Sequence, residues 1–96
     1  MSERSISSLP YERLEEICEI AEDAARKYIT SKLPKKAVSD LTISVDLELS
    51  ETLNVNVDVE VTLSPLYKNV NVKEIAEGSV KAAFEAVERY LKKIQI

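Results

Sequence analysis

The chain of 96 residues contains no histidine and no tryptophan, one glycine and one cysteine. Without histidine, no Ser-His or Cys-His pair can activate a nucleophile. The single cysteine, Cys18, excludes an intramolecular disulfide and suits a reducing compartment. One glycine cannot build a phosphate-binding glycine loop or a dinucleotide fingerprint, and no zinc-ligand set is present. These absences argue against an enzyme that acts alone and against a bound metal or cofactor.

Long apolar runs are also missing, so no segment approaches membrane-spanning length. The N-terminus lacks the apolar core of a secretory signal. A net charge of −4 provides no field for autonomous nucleic-acid binding. We therefore expect a cytoplasmic protein with no membrane contact and only weak or indirect contact with tRNA. The length predicts a single domain, residues 1–96, with residues 1–8 as a flexible N-terminus.

The middle of the chain alternates strictly between apolar and polar residues. From Leu41 to Leu49, and again from Leu53 to Leu63, every odd-numbered residue is apolar and every even-numbered residue is polar. This period of two predicts two half-buried β-strands. Directly opposed residues share a face, so their numbers sum to an even value and the loop length is odd. The simplest loop has three residues, Ser50 to Thr52. Because a three-residue loop usually contains a residue in left-handed conformation, a five-residue loop or a bulge remains an alternative.

An amphipathic helix is predicted on each side of this hairpin. The first runs from Pro10 to Ile29, with Ser8 as its N-cap, and should stop before Pro34. Residues 31–37 are a predicted connection, and residues 64–70 a loop that could add a short strand. The second helix begins at a capping box formed by Asn71 and Glu74, and its apolar stripe continues to Ile94. The order α-β-β-α predicts an α+β fold with both helices on one face of a long antiparallel hairpin.

The predicted hairpin is too narrow to cover two helices. Two strands about 5 Å apart make a ribbon roughly 10 Å wide, which is the width of one helix. An isolated ribbon is also marginal in water and leaves both of its edges open. We therefore expect dimerisation into a four-stranded sheet, with a second copy or with a partner that has a similar ribbon.

Small residues recur every four positions on the second helix, at Gly78, Ala82 and Ala86. A glycine inside a helix costs about 1 kcal/mol relative to alanine, so Gly78 indicates a close approach by a neighbour. That neighbour is either the first helix of the same chain or a helix of a partner protein. The three residues are therefore the candidate partner interface.

Lysines are expected to gather at the end where the first helix stops and the second begins: Lys32, Lys35, Lys36, Lys68 and Lys73. Such a group could contact phosphates, which gives the alternative of a stand-alone RNA- or tRNA-binding module. Solvated chain ends account for the same lysines. The carboxylates of the polar strand face (Asp46, Glu48, Asp58 and Glu60) are expected to be solvated rather than catalytic.

The hairpin LNVNVDVEVTLSPLY and the helix SVKAAFEAVERYLKKI resemble a small archaeal family of uncharacterised proteins. That family is similar to the Pcc-type (dimerisation) subunit of the KEOPS tRNA-modification complex. The resemblance covers mainly Leu41 to Ile94. It implies a non-catalytic α+β subunit that supports the enzyme making threonylcarbamoyladenosine in tRNA. Its implied partners are a second copy or a Pcc-type paralogue, together with other KEOPS subunits.

Two features depart from the Pcc-type pattern. The Pcc-type helix usually carries Arg followed by Asn in the segment that corresponds to residues 84–89. Here that segment contains Phe84, Glu85, Val87 and Glu88. The leading helix, Pro10 to Ile29, is also additional. A divergent paralogue acting as a heterodimer partner or accessory subunit would tolerate both departures.

Overall fold

The computed structural model describes residues 11–67 and 69–94. Its elements are α1 (Tyr11–Lys32), a 3₁₀ turn (Lys35–Ala37), β1 (Val38–Leu49), β2 (Leu53–Leu63) and α2 (Val72–Ile94). The predicted order α-β-β-α and the α+β class are confirmed. The predicted flexible segment 1–8, with the N-cap Ser8, and Lys68 lie outside the described residues.

The hairpin has the register that parity predicts. Leu49 is opposite Leu53, Leu47 is opposite Val55, and this pairing continues without a shift to Asp40 opposite Thr62. The loop has three residues, closed by the Ser50 N–H, which donates to the Thr52 carbonyl at 3.1 Å. No residue in the described ranges has a positive φ, so the loop closes without a left-handed residue.

The connections differ in detail from the predicted bounds. Helix α1 ends at Lys32, before Pro34 as predicted but three residues beyond Ile29, and residues 35–37 of the predicted connection form a 3₁₀ turn. Strand β1 starts at Val38, before the alternation begins, because a register irregularity between Val38 and Asp40 shifts the pairing there. The extra strand considered after Ser64 does not form, since the Tyr67 N–H closes a turn onto the Ser64 carbonyl at 2.9 Å.

The start of α2 follows the predicted cap. The Glu74 N–H donates to Asn71 Oδ1 at 3.1 Å, which satisfies one of the free N–H groups at the helix start. Val70 and Ile75 pack against the same apolar cluster around Ile29 and Leu33, as expected of a hydrophobic staple.

The two helices lie side by side over the inner face of the hairpin, α1 over β1 and α2 over β2. From Leu41 to Leu63, the odd-numbered strand residues point towards them and the even-numbered residues are exposed. The core lies where the two helices meet the hairpin and contains Ile17, Ala21, Ala25, Val57, Ala83 and Val87. Along the regular ladder, Val57 alone among the strand residues is buried, with 9% of its surface exposed, and the other inward residues stay half-buried.

The molecule is a long, narrow rod. Its extents are 56 × 20 × 19 Å and its radius of gyration is 15.5 Å. A compact domain of this length has a radius of gyration of about 12.5 Å. In this long shape, most inward strand residues keep part of their apolar surface exposed.

Candidate interaction surfaces

The hairpin forms a two-stranded sheet of β1 and β2, so each strand has one edge without a neighbouring strand in the described chain. Backbone N–H and C=O groups on such an edge can pair with another strand. Both edges are long, because β1 has 12 residues and β2 has 11. The structure therefore offers two candidate surfaces for strand addition.

The outer face of the hairpin is acidic and exposed. Each carboxylate is opposite a neutral residue across the ladder, with Asp46 facing Asn56 and Asp58 facing Ser44, as parity predicted. Within residues 11–67 and 69–94, no group of three or more acidic or cysteine side chains is arranged to hold a metal ion. This face is a solvated surface along which like charges are kept apart.

Gly78, the first of the candidate interface residues on α2, lies beside α1. An alanine Cβ placed at Gly78 would overlap the ring of Tyr28, lying 2.7 Å from its Cε1. Tyr28 also carries Lys32 over its ring, with Nζ 5.4 Å from the centroid. Ala82 and Ala86 are half-buried. The close approach that Gly78 indicates is therefore made by the chain's own first helix.

Replacing Gly78 with alanine tests this contact. In the natural chain we expect Gly78→Ala to destabilise the fold, because the new methyl group must displace the Tyr28 ring. In a Tyr28→Ala background the same change should stabilise the fold by about 1 kcal/mol, because only the gain in helix propensity remains. Urea unfolding of the four proteins measures this double-mutant cycle. The same sign of effect in both backgrounds would contradict the contact.

The elements that carry the candidate lysines meet at one end of the molecule. Apolar residues of the α1 end, the β2 end and the α2 start pack together around Leu33. Of the candidate phosphate contacts, Lys32, Lys35, Lys36 and Lys73 are exposed there. The stacking of Lys32 on Tyr28 is a cation–π contact, which gives that lysine a structural role as well.

At the opposite end, a polar contact joins the two helices. Arg13 Nη1 donates to Glu16 Oε1 at 3.0 Å and to Tyr90 Oη at 3.1 Å. The Tyr90 hydroxyl in turn donates to the Glu16 carboxylate. The Tyr90 hydroxyl and then the Arg13 guanidinium hold the pKa of Glu16 below its ordinary value. The contact joins the start of α1 to the end of α2.

The α1 flank beside β1 is acidic. Burial is the main cause that raises the pKa of the Cys18 thiol, and nearby carboxylates add to it: Asp46, Glu15, Glu19 and Glu22. A raised pKa keeps the thiol protonated at neutral pH and makes it a poor nucleophile. We call the α1 part of this set, Cys18 with Glu15, Glu19 and Glu22, the acidic flank.

The α2 flank beside β2 is apolar at its centre. Phe84 is 43% exposed there, and it lines a shallow groove whose other residues are Leu53, Asn54, Val55, Lys81, Glu85, Val87, Glu88 and Leu91. In the sequence, Phe84 is distinctive only as a departure from the Pcc-type pattern. Its spacing from Val80 and Leu91, four and seven residues, is the sequence signal that places all three on one flank of the helix. We call Leu53, Val55, Phe84 and Leu91, with Lys81 and Glu88, the Phe84 face.

No helix in the described ranges is both long and apolar enough to cross a membrane. The fold thus defines a small α+β domain built on a two-stranded hairpin with two helices on one face. The chain belongs to the DUF3194 family, described as a protein of unknown function, whose model matches residues 6–90.

Relatives of this family come from archaea. An uncharacterised protein of Pyrococcus horikoshii, PH0533, is 32% identical over 93% of this chain and 76% of its own length. An uncharacterised protein of Pyrococcus furiosus, PF0383, is also 32% identical, over 93% of this chain and 79% of its own.

Two solved structures share the fold. A crystal structure from Thermococcus onnurineus NA1 has a TM-score of 0.76 and 28% identity, covering 96% of this chain and 88% of that one. The solution structure of the hypothetical protein mth677 from Methanothermobacter thermautotrophicus has a TM-score of 0.74 and 24% identity, covering 98% of both chains.

Proposed function

We propose that the protein is a non-catalytic interaction subunit that works as a dimer joined along one edge of its hairpin. The observation that carries the proposal is the incomplete cover of the inner strand face. Two helices lie over that face, yet every inward residue of the regular ladder except Val57 stays half-buried. Strand addition would satisfy an open backbone edge and would bring the helices of a second subunit against the exposed apolar flanks.

A more specific form of the proposal names the assembly. The resemblance to the Pcc-type subunit favours an accessory subunit of KEOPS, as a homodimer or as a heterodimer with a Pcc-type paralogue. A long hairpin with helices on one face supports this form. Affinity purification of the tagged protein from an archaeal host, followed by mass spectrometry, tests it. Repeated recovery without any KEOPS subunit would contradict this assignment and leave the dimer untouched.

A second candidate function uses the lysine-rich end to bind RNA. Lys35, Lys36 and Lys73 are exposed there, and phosphate contacts would make the affinity fall steeply with salt. The net charge of −4 opposes this function. Filter binding of tRNA at low and high salt separates the two candidates, because an interaction subunit needs no such affinity.

The oligomeric state is the first test of the proposal. We expect light scattering of the purified chain to give twice the chain mass of 10.8 kDa, with dissociation on dilution. The physical reason is that edge pairing covers apolar surface that the single chain leaves half-exposed. A stable, folded monomer at every accessible concentration would contradict the homodimer.

A further inference from the structure

The two edges of the hairpin differ in what the helices place beside them. The later part of the β1 edge runs beside the acidic flank, where Arg26 is paired with Glu22 at 2.7 Å. The start of β1, with Val38 and Leu41, lines a separate groove with Leu33 and Lys35 at the lysine-rich end. A two-fold axis beside the later part of this edge would bring two acidic flanks together, which costs free energy. The β2 edge runs below the Phe84 face, which has exposed apolar surface at its centre and charges of both signs around it.

We infer that the Phe84 face binds the same face of a second copy, so that two β2 strands pair antiparallel around a two-fold axis. This inference rests on the proposed function and adds the surface and the partner. Such an axis is perpendicular to the sheet and keeps the inner faces of both copies on the same side. The result is a four-stranded sheet in which the two α2 helices are neighbours. Because paired strands lie about 5 Å apart and packed helices need about 8–10 Å between their axes, the sheet has to bend away from the helices at the two-fold axis.

The charges of β2 restrict where the axis can lie. With the axis beside Asn56, Asp58 faces Asn54 of the second copy; with the axis beside Val57, Asp58 faces Asn56 and Glu60 faces Asn54. With the axis beside Asp58, the Asp58 carboxylates of the two copies face each other, which is destabilising. The favourable positions are the part of β2 that lies near Phe84, because Phe84 shares its groove with Leu53, Asn54 and Val55.

The charges of α2 agree with the same axis. Lys81 and Glu88 lie three residues before and four residues after Phe84 on the same flank. In an antiparallel helix pair centred beside Phe84, Lys81 of one copy faces Glu88 of the other, and the contact occurs twice. In the described ranges the ion pairs within the chain all lie on α1, so Lys81 and Glu88 make none there. This self-complementarity is what selects a second copy as the partner.

The apolar centre of the face is tested with Phe84→Glu. This change places a charge on the two-fold axis, and we expect it to raise the dissociation constant of the dimer by about 30-fold or more, the effect of losing one hot-spot residue. Leu66→Glu is the matched control, because Leu66 is a large apolar residue that is 88% exposed and lies in the loop after β2. The control should leave the dissociation constant unchanged.

Charge reversal tests the geometry directly. Lys81→Glu alone should weaken the dimer about tenfold, because two attractive contacts become repulsive. Glu88→Lys alone should do the same, and the double variant should restore the natural affinity. Equilibrium sedimentation measures all five variants, and far-ultraviolet circular dichroism confirms that each is folded.

The outcomes separate the two proposals. If the natural chain is a monomer, the proposed homodimer and this inference both fail. If the natural chain is a dimer and Phe84→Glu dimerises equally well, the edge dimer stands and the Phe84 face is wrong. Failure of the double variant to restore the affinity would overturn the antiparallel pairing of the α2 helices.

Discussion

Truncation of Ile17 to alanine is expected to lower the free energy of unfolding by about 2–5 kcal/mol. Ile17 has no exposed surface and lies in the cluster formed by both helices and the hairpin. Removing its outer carbons leaves a cavity that a rod-shaped domain, with little core around it, has few side chains to fill. Small domains have total stabilities near the lower end of about 5–15 kcal/mol, so this one change should take a large share.

Urea unfolding followed by circular dichroism, at one fixed protein concentration, measures this loss. Ile20→Ala is the matched control, since it removes the same atoms from a half-buried position on the same helix. We expect the control to cost less than half as much. Equal losses at the two positions would show that the core does not lie where α1 meets α2 and the sheet.

Enlarging Ala83 to leucine is expected to destabilise the fold by about 1–3 kcal/mol, because extra carbon atoms in a packed site force neighbouring side chains and backbone to move. Ala83 has no exposed surface and lies between α1 and the sheet. Leucine and alanine both favour helices, so the effect reports packing and owes little to helix propensity.

Ala82→Leu is the control for this change, because Ala82 is next in sequence and only half-buried. Thermal unfolding monitored by circular dichroism should show a clear drop in midpoint for the Ala83 variant and a smaller one for the Ala82 variant. Equal midpoints for the Ala83 variant and the natural chain would mean that the two helices can move apart at Ala83 without loss of stability.

The hairpin could be predicted in detail because alternation encodes both the face and the register. Once the odd residues between Leu41 and Leu63 are assigned inward, parity leaves few loop lengths, and Leu49 opposite Leu53 is the shortest solution. The start of α2 could be predicted equally well, because the Asn71 cap is a local interaction between residues three apart.

Features that depend on contacts between elements could be predicted less well from the sequence. The early start of β1 at Val38 needs a register irregularity that alternation does not show. The partner of Gly78 could be narrowed to two alternatives, but Tyr28 is 50 residues away in sequence, and nothing local connects them. Phe84 was visible as an apolar residue, but its exposure depends on how far α2 lies from the edge of β2.

The uniform parity of the hairpin has a consequence for the choice of partner. Because all inward residues of the ladder are odd-numbered, a neighbouring strand can slide in steps of two residues, roughly 7 Å each, and still keep every apolar side chain on the inner face. Backbone pairing and burial thus accept several alignments and any strand of similar alternation. In the proposed dimer, a few polar side chains would therefore have to distinguish between alignments, and between a second copy and a paralogue. Whether a subunit of a related protein can replace one copy would then depend on four residues: Asn54, Asp58, Lys81 and Glu88.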